Sequence, residues 1–281
     1  MPLATAVLFL LPRWFFLPVA RLAGRLVYRF NRRQRRRLLD NYRHILGPDA
    51  PPGLAERTAR QAFVNLATGY LDLLRVPVLR RNVVKLGDLA PGTLENLDRV
   101  LGEGRAAVLV TAHVGNWDLA GAFLAAHGYP LSAVVEPVPA GWARTFNRYR
   151  CATELEAIPI PDHRAIARAI ERNRLLVLVA DRDLTGRGVA CPAFDARRSF
   201  PRGPATYALR HDLSVVLGYF LFQDRPGRPP YLGCVEPPFD FRPTGSADRD
   251  IEEFTNLIAR ALNRLIARFP DQWLVFRAGW Q

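Results

Sequence analysis

The chain of 281 residues is 49% hydrophobic and 23% charged, enough apolar content for a buried core and too much for a disordered segment. Its formal charge is +13, and Lys85 is the only lysine among 39 basic residues. Arginine's planar fork therefore biases the molecule toward phosphate-bearing partners: nucleic acid, anionic lipid headgroups or a phosphorylated substrate. The three cysteines, Cys151, Cys191 and Cys234, stand far apart without CxxC spacing, so they imply neither a disulfide framework nor a zinc site and read as packing residues.

The first stretch pairs an apolar run, Leu3 to Leu11, with Trp14-Phe15-Phe16-Leu17. Pro12, Arg13 and Pro18 interrupt it near its middle, so it is too broken to span a bilayer. A secretory signal would carry its positive residues ahead of the apolar run, whereas Arg21, Arg25, Arg29, Arg32, Arg33 and Arg35 to Arg37 follow it. Aromatic residues followed by dense arginine suit a segment lying in the membrane interface, with the rings in the acyl boundary and the guanidinium groups at anionic headgroups. A helix docked on the protein's own core is the other reading. The expected division is a basic amphipathic membrane-interface segment over residues 1–37 and one domain over 38–281.

From Asp40 to Leu79 apolar residues recur at helical spacing, broken by Gly47-Pro48 and Pro51-Pro52-Gly53. A short strand is expected over Val83–Leu89 and a helix from about Pro91 to Gly102. The run Ala106 to Val110 reads as a buried strand, Leu119 to Ala126 as a helix, Leu131 to Val135 as a strand, and Trp142 to Leu155 as a helix. Ala157 to Ile160, Leu175 to Ala180, Ser214 to Phe222 and Tyr231 to Glu236 read as strands. Helices are expected over Arg164–Asn173, from about Gly203, and over Asp250–Phe269, the last with a clear apolar stripe. The alternation predicts an α/β fold, a single domain with a mostly parallel central sheet flanked by helices on both faces, preceded by a helical, membrane-associating N-terminal segment. Ligands of such sheets gather beyond the carboxyl ends of the strands, where His113 and Asp181 to Asp183 both fall.

Between the central apolar strand and its following helix stands Thr111-Ala112-His113-Val114-Gly115-Asn116-Trp117-Asp118. An imidazole titrates near neutral pH and takes a proton from a hydroxyl when a carboxylate holds its other nitrogen protonated. Asp118 is the nearest candidate partner. The pairing requires His113 on the turn before the helix, with Gly115 and Asn116 bending the backbone between them, because residues five apart do not share a helix face. A capping or packing histidine is the competing reading. His127, before Gly128, is expected to close its helix. Three arginines around Phe200-Pro201-Arg202-Gly203, at a helix start, offer an anion site or a solvated loop. Arg182 reads as a phosphate or headgroup contact or as a structural ion pair, and no metal is expected at Asp181-Arg182-Asp183.

The string His113-Val-Gly-Asn-Trp-Asp118 resembles the HxxxxD motif of the lipid A biosynthesis acyltransferase family, and is most similar to its phosphatidylinositol mannoside acyltransferase branch. Three further stretches resemble that family in the same order: Ala180-Asp181-Arg182-Asp183-Leu184, Phe200-Pro201-Arg202-Gly203-Pro204-Ala205, and Pro270-Asp271-Gln272-Trp273. The resemblance implies transfer of a fatty acyl group from a thioester, on coenzyme A or acyl carrier protein, to a hydroxyl of a glycolipid or phospholipid. It gives His113 the role of general base and Asp118 that of the group holding its ring. Substrate contacts are expected at Asn116, Trp117, Arg182, Arg202 and Gly203. The donor is a co-substrate, with no resident cofactor and no metal. The implied partners are an anionic membrane surface, the lipid acceptor, the acyl thioester and acyl carrier protein, with no nucleic acid. The implied place is the cytoplasmic face of the plasma (inner) membrane, as a peripheral or monotopic protein. One departure stands out: the mannoside branch carries a glutamate where this chain has Phe194-Asp195-Ala196, leaving Asp195 as its candidate substitute. A hydrolase using the same pair on water and a basic nucleic-acid-binding protein are the rival readings; the second has no helix-turn-helix, zinc-finger or RNA-binding signature.

Overall fold

The computed structural model describes residues 12–136, 155–160, 162–223 and 225–281. Three helices open this part of the chain: α1 (Arg13–Phe30), α2 (Arg32–Leu46) and α3 (Leu54–Leu79). Strands and helices then alternate as β1 (Gly87–Leu89), α4 (Thr93–Leu101), β2 (Ala107–Thr111), α5 (Trp117–Ala126), β3 (Leu131–Val135), β4 (Glu156–Pro159), α6 (His163–Glu171) and β5 (Leu175–Val179). A hairpin of β6 (Val189–Ala193) and β7 (Ala196–Phe200) follows, then α7 (Gly203–His211), β8 (Ser214–Phe222), β9 (Tyr231–Val235) and α8 (Ala247–Arg268).

The sheet order is β1-β9-β8-β2-β5-β3-β4, and every pairing in it is parallel except β8 with β9. β2 lies at the centre with all five residues buried, as a strand covered on both faces must be. Its side chains alternate between two cores. Val108 and Val110 pack in a cluster with Leu38, Phe63, Leu178 and Leu262, whereas Ala107 and Leu109 pack with Leu97, Leu119, Phe123 and Val216. Helices on both faces follow from that alternation. α3 is the one described helix long and apolar enough to cross a bilayer, but more than half of that stretch is buried inside the domain, which makes it a core helix.

The expected strand over Val83–Leu89 is shorter than its apolar content suggests. Arg80–Leu86 winds as a 3-10 helix and only Gly87–Leu89 pairs, because Val83 and Leu86, three apart, both turn into the second core. The hairpin β6–β7 was not anticipated. Its two-residue turn holds Phe194 at φ +58 rather than a glycine or asparagine, so the usual turn signal is missing. The helix expected over Trp142–Leu155 falls, apart from Leu155, outside the described residues, as does Cys151. Cys191 is buried and Cys234 half-buried, both as free thiols.

α1 packs along α3 through Phe16, Ala20 and Gly24. Gly24 permits the contact: a Cβ there would lie 2.6 Å from the Phe63 carbonyl oxygen. The opposite side of α1 remains apolar and open, with Phe15, Val19, Leu22, Leu26 and Phe30 at helical spacing and exposed.

Candidate active site

β2 and β5 are parallel neighbours whose last paired residues are Thr111 and Val179. Two residues beyond each lie His113 and Asp181, so the strand register alone brings an imidazole and a carboxylate together at the carboxyl edge of the sheet. His113 Nδ1–H donates to Asp181 Oδ1 at 2.7 Å. The His113 backbone N–H and the Trp273 indole Nε1–H both donate to Oδ2, at 3.0 and 2.8 Å. Burial pushes the Asp181 carboxyl up, but the neighbouring His113, the Trp273 bond and the Arg198 guanidinium outweigh it and hold the group well below the usual carboxylate range. Ionised at neutral pH, Asp181 accepts only, which fixes the proton on Nδ1 and leaves the lone pair on Nε2.

Proximity in the chain and the family resemblance point to Asp118 as the group that holds the ring. The structure gives Nδ1 to Asp181 instead: Gly115 bends the chain as expected, but the carboxylate that meets the ring comes from the neighbouring strand. Asp118 lines the same cleft, and its charge joins burial in raising the Tyr70 phenol. Gly115 has φ +66, and a Cβ there would sit 2.1 Å from the Phe220 carbonyl oxygen, so no larger residue fits. The loop is pinned on both sides. Asn116 N–H donates to Phe220 O at 2.9 Å, while Gly115 N–H donates to Gln272 O and Leu274 N–H to His113 O.

Behind Asp181 lies a network that sequence reasoning did not find. Arg198, fully buried, donates from Nε to Ala278 O and from Nη2 to the Asp181 backbone carbonyl. Its guanidinium carbon stands 4.9 Å from the Trp273 ring centroid, 5.1 Å from Trp280 and 5.3 Å from Phe200. Burial lowers its pKa to about 10 against the opposing pull of Asp181, so it stays charged at neutral pH. The signal available in the sequence was Ala196-Arg-Arg-Ser-Phe200, in which every second residue faces inward on a strand. Trp273 was visible only as part of a closing motif.

His113 opens into a cleft of about 340 Å³ lined also by Tyr70, Trp117, Asp118, Glu136 and Arg182. The Trp117 ring stands edge-on to His113 at 4.9 Å. A narrower apolar slot of about 40 Å³ runs beside it toward Leu109, Leu131 and Phe220, and Thr111, Trp117, Gly121 and Val177 line both. Arg182 sits at the cleft and pairs with Glu136. The other expected contacts lie elsewhere. Asn116 caps α5 by accepting from Leu119 N–H and donates to Gly69 O and the Tyr231 hydroxyl, so its amide is engaged inside the fold. Arg202, before α7, pairs with Asp248 at 3.6 Å, and neither it nor Gly203 lines the cleft. Asp183 staples a turn by accepting from Thr185, Gly186, Gly188 and Ser199. Asp195 pairs with His44 at 2.6 Å at the hairpin turn and does not line the cleft, so the acid at the histidine is Asp181. His127 closes α5, with its Nδ1 on Phe123 O.

The sequence is similar to that of known acyltransferases. The profile of the bacterial lipid A biosynthesis acyltransferase family matches residues 3–281. A phosphatidylinositol mannoside acyltransferase of Mycolicibacterium smegmatis is 27% identical over 238 residues, covering 82% of this chain and 74% of its own length. One from Mycobacterium tuberculosis is 28% identical over 218 residues, covering 75% of this chain and 66% of its own.

Proposed function

Since the chain belongs to the bacterial lipid A biosynthesis acyltransferase family, we propose that this lipid acyltransferase moves a fatty acyl group from a thioester, on coenzyme A or acyl carrier protein, to a hydroxyl of a glycolipid or phospholipid, with His113 as general base. The observation that carries the reading is the His113–Asp181 pair at a cleft with an adjoining apolar slot. Nε2 takes the hydroxyl proton as the oxygen attacks the thioester carbonyl. The tetrahedral adduct then collapses, the carbon–sulfur bond breaks, and the thiolate leaves with the proton returned by the imidazolium. Asp181 keeps the ring aimed and stabilises its charged form. A thioester is activated enough that no acyl-enzyme is required. The acyl chain lies along the apolar slot, Trp117 and Asp118 flank the reacting groups, and Arg182 meets the acceptor headgroup. Arg202 and Gly203 take no part. The similarity to two phosphatidylinositol mannoside acyltransferases makes a glycosylated phospholipid the first acceptor to try. Purified protein given an acyl thioester is expected to release free thiol only when lipid acceptor is present. Equal release without lipid would replace transfer by hydrolysis.

The same reading places the protein on the cytoplasmic face of an anionic membrane through residues 1–37. The open apolar side of α1 supports it: Trp14 and Phe30 are each more than 70% exposed, and arginines flank the stripe. Replacing Phe15 and Leu22 together by aspartate is expected to lower partitioning onto anionic vesicles at least about 100-fold, since each buried apolar side chain contributes roughly 1.5–3 kcal/mol. Vesicle co-sedimentation measures this, and unchanged binding would remove α1 from the contact.

A further inference from the structure

A second cavity, of about 520 Å³, lies between α1, α3 and the β8–β9 connection. Its lining is basic. Arg13 and Arg21 reach it from α1, Asn65 from α3, and Arg225 and Arg228 from the connection. Arg13 is committed to the fold, since its guanidinium grips the buried Asp72 at 3.0 Å. Arg228 stands 3.7 Å from Asp88, a long and exposed contact. Arg21 and Arg225 form no ion pair with any described residue. Asp271 is the one described carboxylate in the lining. Burial raises its carboxyl, which Asn65 holds by a side-chain hydrogen bond. Two of the four guanidinium groups, those of Arg21 and Arg225, thus bring charge to the cavity that no described carboxylate pairs.

Its position gives that charge a use. Arg13, Leu17 and Arg21 follow one another at four-residue spacing along α1, beside the open apolar stripe. α3 runs from this cavity at Asn65 to the catalytic cleft at Tyr70. A small hollow between them is lined by Asn65, Gly69, Tyr70 and the loop from Gly115 to Asp118. We infer that the basic cavity is a phosphate-recognition subsite, in which Arg21 and Arg225 receive the phosphate ester of one substrate while its reacting group lies at His113. The identity of the substrates rests on the acyl-transfer reading; the binding of phosphate does not. Two substrates carry the required chemistry, a phospholipid headgroup on the acceptor side and the phosphates of coenzyme A on the donor side. Guanidinium groups suit either through paired N–H donors.

Calorimetric titration of the full chain with two soluble probes, dihexanoyl phosphatidic acid below its micellar concentration and coenzyme A, tests the inference. The double variant Arg21→Gln/Arg225→Gln changes exposed side chains. It is expected to weaken binding of one probe at least about tenfold while the other stays within twofold, on the scale of a lost charged hydrogen bond. Loss of the phosphatidic acid assigns the cavity to the acceptor, and loss of coenzyme A assigns it to the donor. Wild-type affinity of the double variant for both probes would overturn the inference, as would failure of the wild type to bind either at millimolar concentration. Because binding is read without turnover, the subsite can fail while acyl transfer stands, and the reverse.

Discussion

His113→Ala is expected to reduce acyl transfer about 100- to 10,000-fold, the usual contribution of a positioned general base. The protein should still fold. The ring is partly exposed, and Asp181 keeps two of its three donors, the Trp273 indole and the residue-113 backbone N–H. Losing the third, a bond to a charged group, costs about 1.5–3 kcal/mol. Asp181→Asn separates positioning from chemistry. An amide can present its N–H to Nδ1, which places the ring proton on Nε2 and removes the lone pair from the cleft. Its kcat should fall about 100-fold or more with KM little changed, and more steeply than in Asp118→Asn. Thiol release followed continuously, with circular dichroism as the check on folding, measures all three. A His113→Ala protein within tenfold of wild type would end the general-base assignment, and a larger loss in Asp118→Asn than in Asp181→Asn would return the ring-holding role to Asp118.

The second large effect is expected at Arg198. Arg198→Ala leaves the carbonyls of Ala278 and Asp181 without their donor and empties a cage formed by three aromatic rings. Removing one partner from a buried charged network costs about 3–5 kcal/mol, or a fall in Tm of roughly 6–20 °C at the usual slope for a chain of this size. Arg198→Lys keeps the charge without the planar fork and should fall between. The pH dependence has a definite sign. Asp181 titrates lower in the folded state than unfolded, so its contribution is fully present above about pH 4, near the unfolded value, and is lost as the pH falls. Arg198 supplies part of that depression. The gap between wild type and Arg198→Ala should therefore be widest above pH 4 and narrow in acid. Melting the two proteins across that range measures it, and a variant melting within two degrees of wild type would show the network to be dispensable.

Much of the fold was legible because a parallel sheet buried on both faces leaves apolar runs at its strands. Ala107–Thr111, Leu131–Val135, Leu175–Val179 and Ser214–Phe222 all stand where apolar content put them. His113 was legible for the same reason, since it follows such a run. Its partner was not. Asp118 is five residues away in the chain and Asp181 sixty-eight, and only the pairing of Thr111 with Val179 shows that the distant carboxylate is the adjacent one. Gly115 bends the backbone as expected, at a close approach to Phe220, whereas the Asn116 side chain, expected at the substrate, caps α5. Arg198 was hidden because an arginine in a sequence reads as exposed unless the strand that buries it is recognised, and the hairpin carrying it has Phe194 at its turn.

The joining of Val114 to Trp273 by a bridge, flanked by hydrogen bonds from Leu274 N–H to His113 O and from Gly115 N–H to Gln272 O, bears on how this protein matures. The contact spans about 160 residues of chain, among the slowest kinds to form, because the entropy of closing so long a loop must be met before the contact returns anything. During synthesis the β2 turn leaves the ribosome long before the residues that lock it, and a fragment ending ahead of Trp273 lacks the indole that holds Asp181. The setting of Asp181 therefore waits on residue 273, and a translation product that stops short of it lacks one of the three donors that hold this carboxylate.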